Sequence, residues 1–201
     1  MILPGMPTIP AWPKLLAVIS VIFTVVGITE HPNTHPLDIT QTLPLHAIHA
    51  LYKAPQRESA AQKVKLSIRK LAGPYAHLVI AAAHKAHVPP KLVAAVVQVE
   101  NGGNFHGSAT RVSSAGAIGV MQLEPDTAWN TLRVNPWNAR QNIDGGARYL
   151  ARMLHQFGGN VRLALMAYNA GPTSIAQGVR PWAAVAYAKE VMRDAGDIHY
   201  A

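Results

Sequence analysis

The stretch NIDGGARYLARMLHQFGG, residues 142–159, gives the clearest structural signal in the chain. Its apolar side chains recur every three or four residues, at Ile143, Ala147, Leu150, Leu154 and Phe157. This spacing places them on one face of an α-helix, and the two glycines that follow are typical of a helix end. The pattern therefore predicts a long helix that ends at Phe157.

The segments on both sides are also predicted to be helical. Downstream, Asn160 can cap a helix over Val161–Ala170, and Pro181 can open a last helix. Upstream, residues 75–88 and 91–100 are rich in alanine and other apolar residues, and two prolines separate them. Because no long alternating pattern of the kind found in strands competes, we expect a mainly α domain with a short or absent β element.

The composition limits the chemistry. A length of 201 residues suits one domain of catalytic size with additional segments. The chain contains no cysteine, which excludes a thiol nucleophile, a disulfide and a cysteine-bound metal. Lysine and arginine number 18 against 10 aspartate and glutamate residues, a net charge of +8. We expect the partner to be an anionic polymer or surface.

Four segments are predicted along the chain. Residues 1–28 combine a proline-rich start with an apolar run, Leu15–Ile28, which as a helix is about 21 Å long and shorter than a bilayer core of roughly 30 Å. We interpret this run as a secretory signal peptide, with an uncleaved membrane anchor or a buried core helix as alternatives. Residues 29–55 are predicted to be a linker, residues 56–73 a basic helix, and residues 74–201 the main domain.

Glu100 is the first candidate for a catalytic group. It ends a predicted helix whose other residues are almost all apolar, so its carboxylate faces a desolvating wall and the negative end of the helix dipole. Both effects favour the protonated form. We therefore expect a raised pKa at Glu100, as a general acid near neutral pH requires. The alternative is a carboxylate that is merely solvated at a helix end.

Further motifs follow Glu100 along the chain, and together they resemble those of one family. They are Ser113 with GAIGVMQLEPDTA (116–128), NIDGGARYL (142–150), ALMAYNAGP (164–172), and Pro181 with Tyr187. Over residues 75–191 the sequence resembles the soluble lytic transglycosylases, whose domain is similar to goose lysozyme. The resemblance implies a lysozyme-like helical fold and makes residues 74–201 a lytic transglycosylase-like catalytic domain.

The resemblance also implies an activity without a cofactor. Enzymes of this family cleave the β-1,4 bond between N-acetylmuramic acid and N-acetylglucosamine in peptidoglycan, and Glu100 takes the place of their single catalytic acid and base. It would protonate the leaving oxygen and then deprotonate the 6-hydroxyl of the same sugar, leaving a 1,6-anhydro end. A hydroxyl held close has a high effective concentration, so no second carboxylate is needed to activate water.

The same resemblance implies which residues bind substrate or orient Glu100. They are Ser113, Met121, Gln122, Tyr168, Asn169 and Tyr187. Structural alternatives exist, since Ser113 can close a turn, and a methionine or tyrosine at helical spacing can belong to the core.

The sequence departs from the family pattern at three places. Asn101 stands where the family usually has serine directly after the catalytic glutamate. The stretch from Glu100 to Ser113 is about four residues longer than usual, and Ala183 and Ala184 stand where the family often has Glu-Thr. These departures concern how Glu100 and the groove wall are braced.

Two other functions fit the same fold. A lysozyme-like muramidase would need a base across the cleft, and the nearby carboxylates in sequence are Glu124, Asp126 and Asp144. Structural roles would suffice for two of them, because Asp126 can cap the helix that follows it and Asp144 can pair with Arg148. The other alternative is a non-catalytic module that binds the wall or serves as a scaffold for a secretion apparatus.

Cofactors, partners and location complete the interpretation. His77, His84 and His87 form no closed ligand set, so we expect no metal, and no nucleic-acid motif accompanies the positive charge. The expected partner is the peptidoglycan glycan strand, in the periplasm or cell envelope after export. By resemblance, an envelope-spanning secretion, conjugation or phage apparatus could employ the enzyme.

Overall fold

The structure, a computed structural model, describes residues 59–196. Within this range the chain forms seven α-helices. They are α1 (Ala60–Ala72), α2 (Ala76–Lys85), α3 (Pro90–Asn101), α4 (Ala139–Gln156), α5 (Val161–Ala170), α6 (Pro172–Ala176) and α7 (Trp182–Ala195). The predicted signal peptide or anchor at residues 1–28 and the linker at residues 29–55 lie outside the described residues.

Most of the predicted helices are confirmed, and their caps explain their bounds. Asn160 precedes α5, and its side-chain oxygen accepts a hydrogen bond from the backbone N–H of Leu163 at 3.0 Å. Pro90 opens α3, where its missing N–H costs nothing. The short helix α6 and two 3-10 helices, Gly73–Tyr75 and Ser108–Thr110, were not predicted. A helix was expected after Asp126, but its π-helical form over Thr127–Leu132 was not.

Pairing between β-type segments is confined to isolated bridges among residues 59–196. Ile118 pairs with both Val112 and Leu123 in isolated antiparallel bridges, and no longer strand forms in this range. The prediction of a short or absent β element is therefore confirmed for the described residues.

Helix α3 lies at the centre of the domain. Six consecutive side chains, Leu92–Val97, are fully buried, and the helix packs against α1, α2 and α7. Helix α4 packs against α2 and α5, and α5 packs in turn against α7. Because α3 is surrounded by other helices, the residue at its C-terminal end is held at a fixed position.

Helix α1 confirms that the basic segment predicted over residues 56–73 is helical, and it packs against α3 within the same compact unit. Ser59 caps it in a capping box with Gln62, and its basic side chains are largely exposed. Val64 and Leu66 are exposed on the same helix. None of the helices in residues 59–196 has the length and apolar character to cross a membrane.

Candidate active site

Glu100 lies in the last turn of α3. The buried run Leu92–Val97 precedes it, and the helix stops two residues later at Gly102, whose left-handed backbone (φ 57°) suits a glycine. The Glu100 residue remains partly exposed, and its carboxyl group is largely desolvated. An acid that must reach a substrate requires both conditions.

A tyrosine hydroxyl holds the Glu100 carboxyl. The Tyr187 hydroxyl on α7 donates a hydrogen bond of 2.6 Å to Glu100 Oε1. Burial raises the pKa of Glu100 from 4.5 to about 7, and the Tyr187 hydrogen bond opposes the rise by favouring the ionised form. The raised pKa expected from the sequence is confirmed, and burial is its main cause.

Three tyrosine rings form a row beside the carboxyl. The Tyr168 and Tyr187 rings are parallel, with centroids 6.5 Å apart. The Tyr149 ring is tilted relative to the Tyr168 ring, and their centroids are 5.4 Å apart. Burial and the nearby Glu100 raise the pKa values of Tyr168 and Tyr187 well above 10. Both hydroxyls therefore stay protonated near neutral pH and can only donate or accept hydrogen bonds.

The loop of residues 113–123 runs beside α3 and is joined to the tyrosine row. The buried Tyr168 hydroxyl donates to the Met121 carbonyl at 2.9 Å. Gln122 has left-handed backbone (φ 47°), and its Nε2 donates to the Gly119 carbonyl at 2.8 Å. Gln122 is partly exposed, which leaves its amide oxygen available to a ligand.

The other predicted substrate-binding residues occupy different environments. Ser113 closes a turn, since its Oγ accepts from the Ala117 N–H at 3.0 Å. The Met121 side chain is fully buried against α4, where a Cβ added at Gly146 would lie 2.5 Å from its sulfur. Asn169 is exposed at the end of α5. Substrate contact by each of them stays a prediction.

Of the three carboxylates near Glu100 in sequence, two make polar contacts elsewhere, and the charge of the third, Glu124, helps to raise the pKa of Tyr149. Asp144 forms ion pairs with Lys85 (3.1 Å) and Arg148 (3.4 Å), which confirms the expected i,i+4 pair. The prediction that Asp126 caps a helix was wrong, because its backbone is itself helical (φ −61°, ψ −43°) and its side chain makes no capping hydrogen bond. The side chain instead accepts a hydrogen bond from the Asn130 amide at 2.6 Å. Glu124 is exposed.

Among residues 59–196, no three histidine, aspartate or glutamate side chains approach one another closely enough to hold a metal ion.

Comparison with known proteins assigns the family. The family model for the transglycosylase SLT domain matches residues 77–190, more than half of the chain. The chain belongs to this family. Within this SLT domain lie Glu100, the three tyrosines of the row and all the predicted substrate-binding residues.

The matches to relatives of this SLT domain cover only part of each protein. A transglycosylase of Enterobacteria phage PRD1 is 42% identical over 91 residues, 45% of this chain and 32% of the relative. An endo-type membrane-bound lytic murein transglycosylase A of Klebsiella pneumoniae is 36% identical over 75 residues, 32% of this chain and 35% of the relative. The matches thus span about a third of the length of these relatives.

Solved structures support the fold. The 70 kDa soluble lytic transglycosylase of Escherichia coli matches with a TM-score of 0.54 at 22% identity, covering 74% of this chain and 28% of that one. An inactive mutant of the lytic transglycosylase Slt of Pseudomonas aeruginosa matches with a TM-score of 0.51 at 24% identity, covering 79% and 28%. The mainly α, lysozyme-like fold is confirmed.

Three side chains of this SLT domain fix the loops near Glu100 by hydrogen bonds, and the sequence did not assign them to the site. The buried Asn142 side chain donates to the Ile118 and Pro136 carbonyls and accepts from the Met121 N–H, at 2.8 to 3.0 Å. Asn101 and Arg111 make a second set of contacts beside Glu100. Sequence periodicity gives no sign of such bonds, although Asn142 stands in the NIDGGARYL motif and Asn101 at a departure from the family pattern.

Proposed function

We propose that this protein is a murein lytic transglycosylase, in which Glu100 acts first as general acid and then as general base. The family and the lytic transglycosylases among its relatives support the class, a peptidoglycan-cleaving lyase. The observation that carries the proposal is Glu100 itself, a partly exposed residue whose carboxyl group has a pKa of about 7. At neutral pH such a group is present in both protonation states, as a residue that gives and then takes a proton must be.

The proposed reaction uses one carboxyl group for two proton transfers. Protonated Glu100 donates its proton to the glycosidic oxygen while the bond from that oxygen to the anomeric carbon breaks. The N-acetyl group of the substrate stabilises the positive anomeric carbon. The Glu100 carboxylate then takes the proton of the 6-hydroxyl of the same sugar, and that oxygen bonds to the anomeric carbon. The 1,6-anhydro ring forms and Glu100 is protonated again.

The surroundings of Glu100 favour this route over hydrolysis. A muramidase that activates water would need a second carboxylate facing the bond. A nearby carboxylate would raise the pKa of Glu100 further by charge repulsion, yet burial and Tyr187 are the causes of the shift among the described residues. Asp144 is neutralised by two cationic partners, and Asp126 is engaged by Asn130.

Digestion of purified peptidoglycan sacculi tests the proposal. Mass spectrometry of the released muropeptides should show ends that are lighter by one water than reducing ends. Glu100→Gln should lower the rate by roughly 10²- to 10⁴-fold. The matched control Glu190→Gln removes an exposed carboxylate on α7 and should digest at the wild-type rate. Reducing ends alone would favour the muramidase, and unchanged clearing by Glu100→Gln would remove Glu100 from the mechanism.

We also propose that the enzyme acts on the wall outside the cytoplasm. Its net charge of +8 suits an anionic wall, and the names of its relatives include a membrane-bound enzyme and a phage transglycosylase. A phage, secretion or conjugation apparatus is the proposed context. Fractionation of cells that express the full chain should recover it in the periplasm or envelope, and recovery in the cytoplasm alone would contradict export.

A further inference from the structure

Asn101, the residue after Glu100, is a buried side chain with two short hydrogen bonds. It is 4% exposed, and its Nδ2 donates to the Val97 carbonyl and to the Val120 carbonyl, each at 2.7 Å. Val97 lies one turn earlier in α3, whereas Val120 lies in the loop that carries Gln122. A single amide group therefore ties the last turn of α3 to the loop of residues 113–123.

Arg111 fixes the other side of Asn101. Its Nη1 donates to the Asn101 backbone carbonyl at 3.3 Å and to Asn101 Oδ1 at 3.4 Å. Its Nη2 donates to the carbonyls of Asn104 and His106, at 2.8 and 3.1 Å. One of these acceptors belongs to the final turn of α3, whose carbonyls have no partner inside the helix. The planar guanidinium of Arg111 therefore hydrogen-bonds to both the end of α3 and the loop that follows it, and holds them together.

The loop of residues 102–110 is also anchored from outside. The Phe105 ring packs edge-on against Tyr75 with centroids 6.2 Å apart. It lies so close to Gly73 that a Cβ added there would come within 2.5 Å of the ring. Phe105 thus anchors the loop to Tyr75 and Gly73, and Arg111 anchors it to the end of α3. These contacts hold in place the loop that is about four residues longer than is usual in the family.

We propose that Asn101 and Arg111 are positioning residues that hold the Glu100 carboxyl in its desolvated place between α7 and the Gln122 loop. The proposal rests on the proposed function, because it assigns these residues to the acid named there. Neither residue contacts the Glu100 carboxyl, so both act through the backbone of α3 and the loop.

These two residues affect Glu100 because the position of the end of α3 and of the loop decides how much water reaches its carboxyl group. Without the Asn101 amide, the buried Val120 carbonyl loses its donor and water must replace it. Water at this place would also reach Glu100 and favour its ionised form. The titratable and charged groups around Glu100 are Tyr187 on α7 and Tyr168 on α5. On the loop side there is also Arg111, which is hydrogen-bonded to Asn101, the residue that follows Glu100. The two tyrosines stay neutral near pH 7, so a change in the Glu100 titration reports on hydration.

The test follows the Glu100 carboxyl directly, by NMR of protein labelled with ¹³C at the glutamate carboxyl carbons. The chain has five glutamates, and the signal lost in Glu100→Gln identifies Glu100. Asn101→Leu keeps the size of the side chain but removes its hydrogen-bond donor. Arg111→Lys keeps the positive charge but removes the planar guanidinium that donates to several carbonyls at once. We expect the Glu100 midpoint to fall by about one unit in Asn101→Leu, a tenfold change in the ratio of the two forms. Arg111→Lys should shift the midpoint in the same direction.

A destabilised control separates positioning from loss of stability. Val79→Ala opens a small cavity in α2, in a fully buried position, and should leave the Glu100 midpoint unchanged. An unchanged midpoint in both Asn101→Leu and Arg111→Lys would overturn the proposal, as would an equal shift in Val79→Ala. Should Asn101→Leu not fold, Arg111→Lys decides alone.

The outcome is independent of the product analysis. Wild-type protein that releases no anhydro ends would refute the proposed function while leaving the NMR result to judge the positioning role. On active protein, the basic limb of the pH–rate profile should move to lower pH together with the NMR midpoint, with kcat reduced and KM close to the wild-type value.

Discussion

Replacing Glu100 with glutamine should stabilise the protein above neutral pH and leave its stability nearly unchanged in acid. In the native state burial raises the pKa of Glu100 to about 7, whereas in the unfolded chain the carboxyl ionises near its ordinary value of 4.5. Between these two values the native state binds more protons than the unfolded state. The free energy of unfolding of the wild type must therefore fall as the pH rises through this interval.

The size of the effect follows from the two pKa values. Each unit of difference corresponds to about 1.4 kcal/mol, so the wild type should lose about 3 kcal/mol between pH 4.5 and pH 7 because of this group. Glutamine cannot ionise, but it retains an oxygen that can accept from Tyr187. The variant should match the wild type at about pH 4 and exceed its free energy of unfolding by about 3 kcal/mol at about pH 8.

Urea denaturation of both proteins across this pH range measures the difference directly. The control Glu190→Gln removes an exposed carboxylate whose ion pair with Arg193 is on the surface, and its difference from the wild type should stay small at every pH. A difference between Glu100→Gln and the wild type that does not vary with pH would refute the argument, because it would mean that the carboxyl ionises alike in the native and unfolded states.

Three further predictions concern Tyr187, the Gln122 loop and the ion pairs of Asp144. Tyr187→Phe removes the hydrogen bond that lowers the pKa of Glu100, so the basic limb of the pH–rate profile should move to higher pH; a move to lower pH would contradict the assigned cause. Gly119→Ala places a Cβ against the buried Asn142 amide and the Pro136 carbonyl, and urea titrations should show a loss of roughly 2 kcal/mol or more in the free energy of unfolding. Gly116→Ala is the control, because Gly116 also has a positive φ but a Cβ there meets open space, and it should cost about 1 kcal/mol. Asp144→Asn breaks two partly exposed ion pairs and should cost roughly 1 kcal/mol or less while the rate of sacculus digestion stays at the wild-type value; a large loss of rate would point to a second catalytic carboxylate.

The helices could be predicted from the sequence because their signals are local. The stripe in α4, the Asn160 cap of α5 and Pro90 at the start of α3 each act within a few residues, and the structure has all three. The π-helix at Thr127–Leu132 could not be predicted in this way. Its register depends on contacts with the rest of the fold, such as the hydrogen bond that Arg148 Nη2 on α4 donates to the Leu132 carbonyl at 3.1 Å.

The site could be predicted only in part for the same reason. The pKa of Glu100 follows from the apolar run before it, which is visible in the sequence. The Tyr187 hydroxyl reaches the carboxyl across 87 residues of chain, and only the resemblance to a family placed it nearby. The bonds of Asn101 and Arg111 depend on how a loop closes after the helix, and neither periodicity nor composition encodes that geometry.

The choice of a tyrosine as the partner of Glu100 suits a carboxyl that must work in both protonation states. An arginine at hydrogen-bond distance would lower the pKa of Glu100 and hold it ionised at neutral pH, so it could not donate a proton. The neutral Tyr187 hydroxyl orients Oε1 at a smaller electrostatic cost to the protonated form. Because the pKa of Tyr187 is raised well above 10, the hydroxyl does not surrender its proton when Glu100 ionises. Burial can then raise the pKa while the hydrogen bond orients the carboxyl and limits that rise, so Asn101→Leu and Tyr187→Phe should move the pKa of Glu100 in opposite directions.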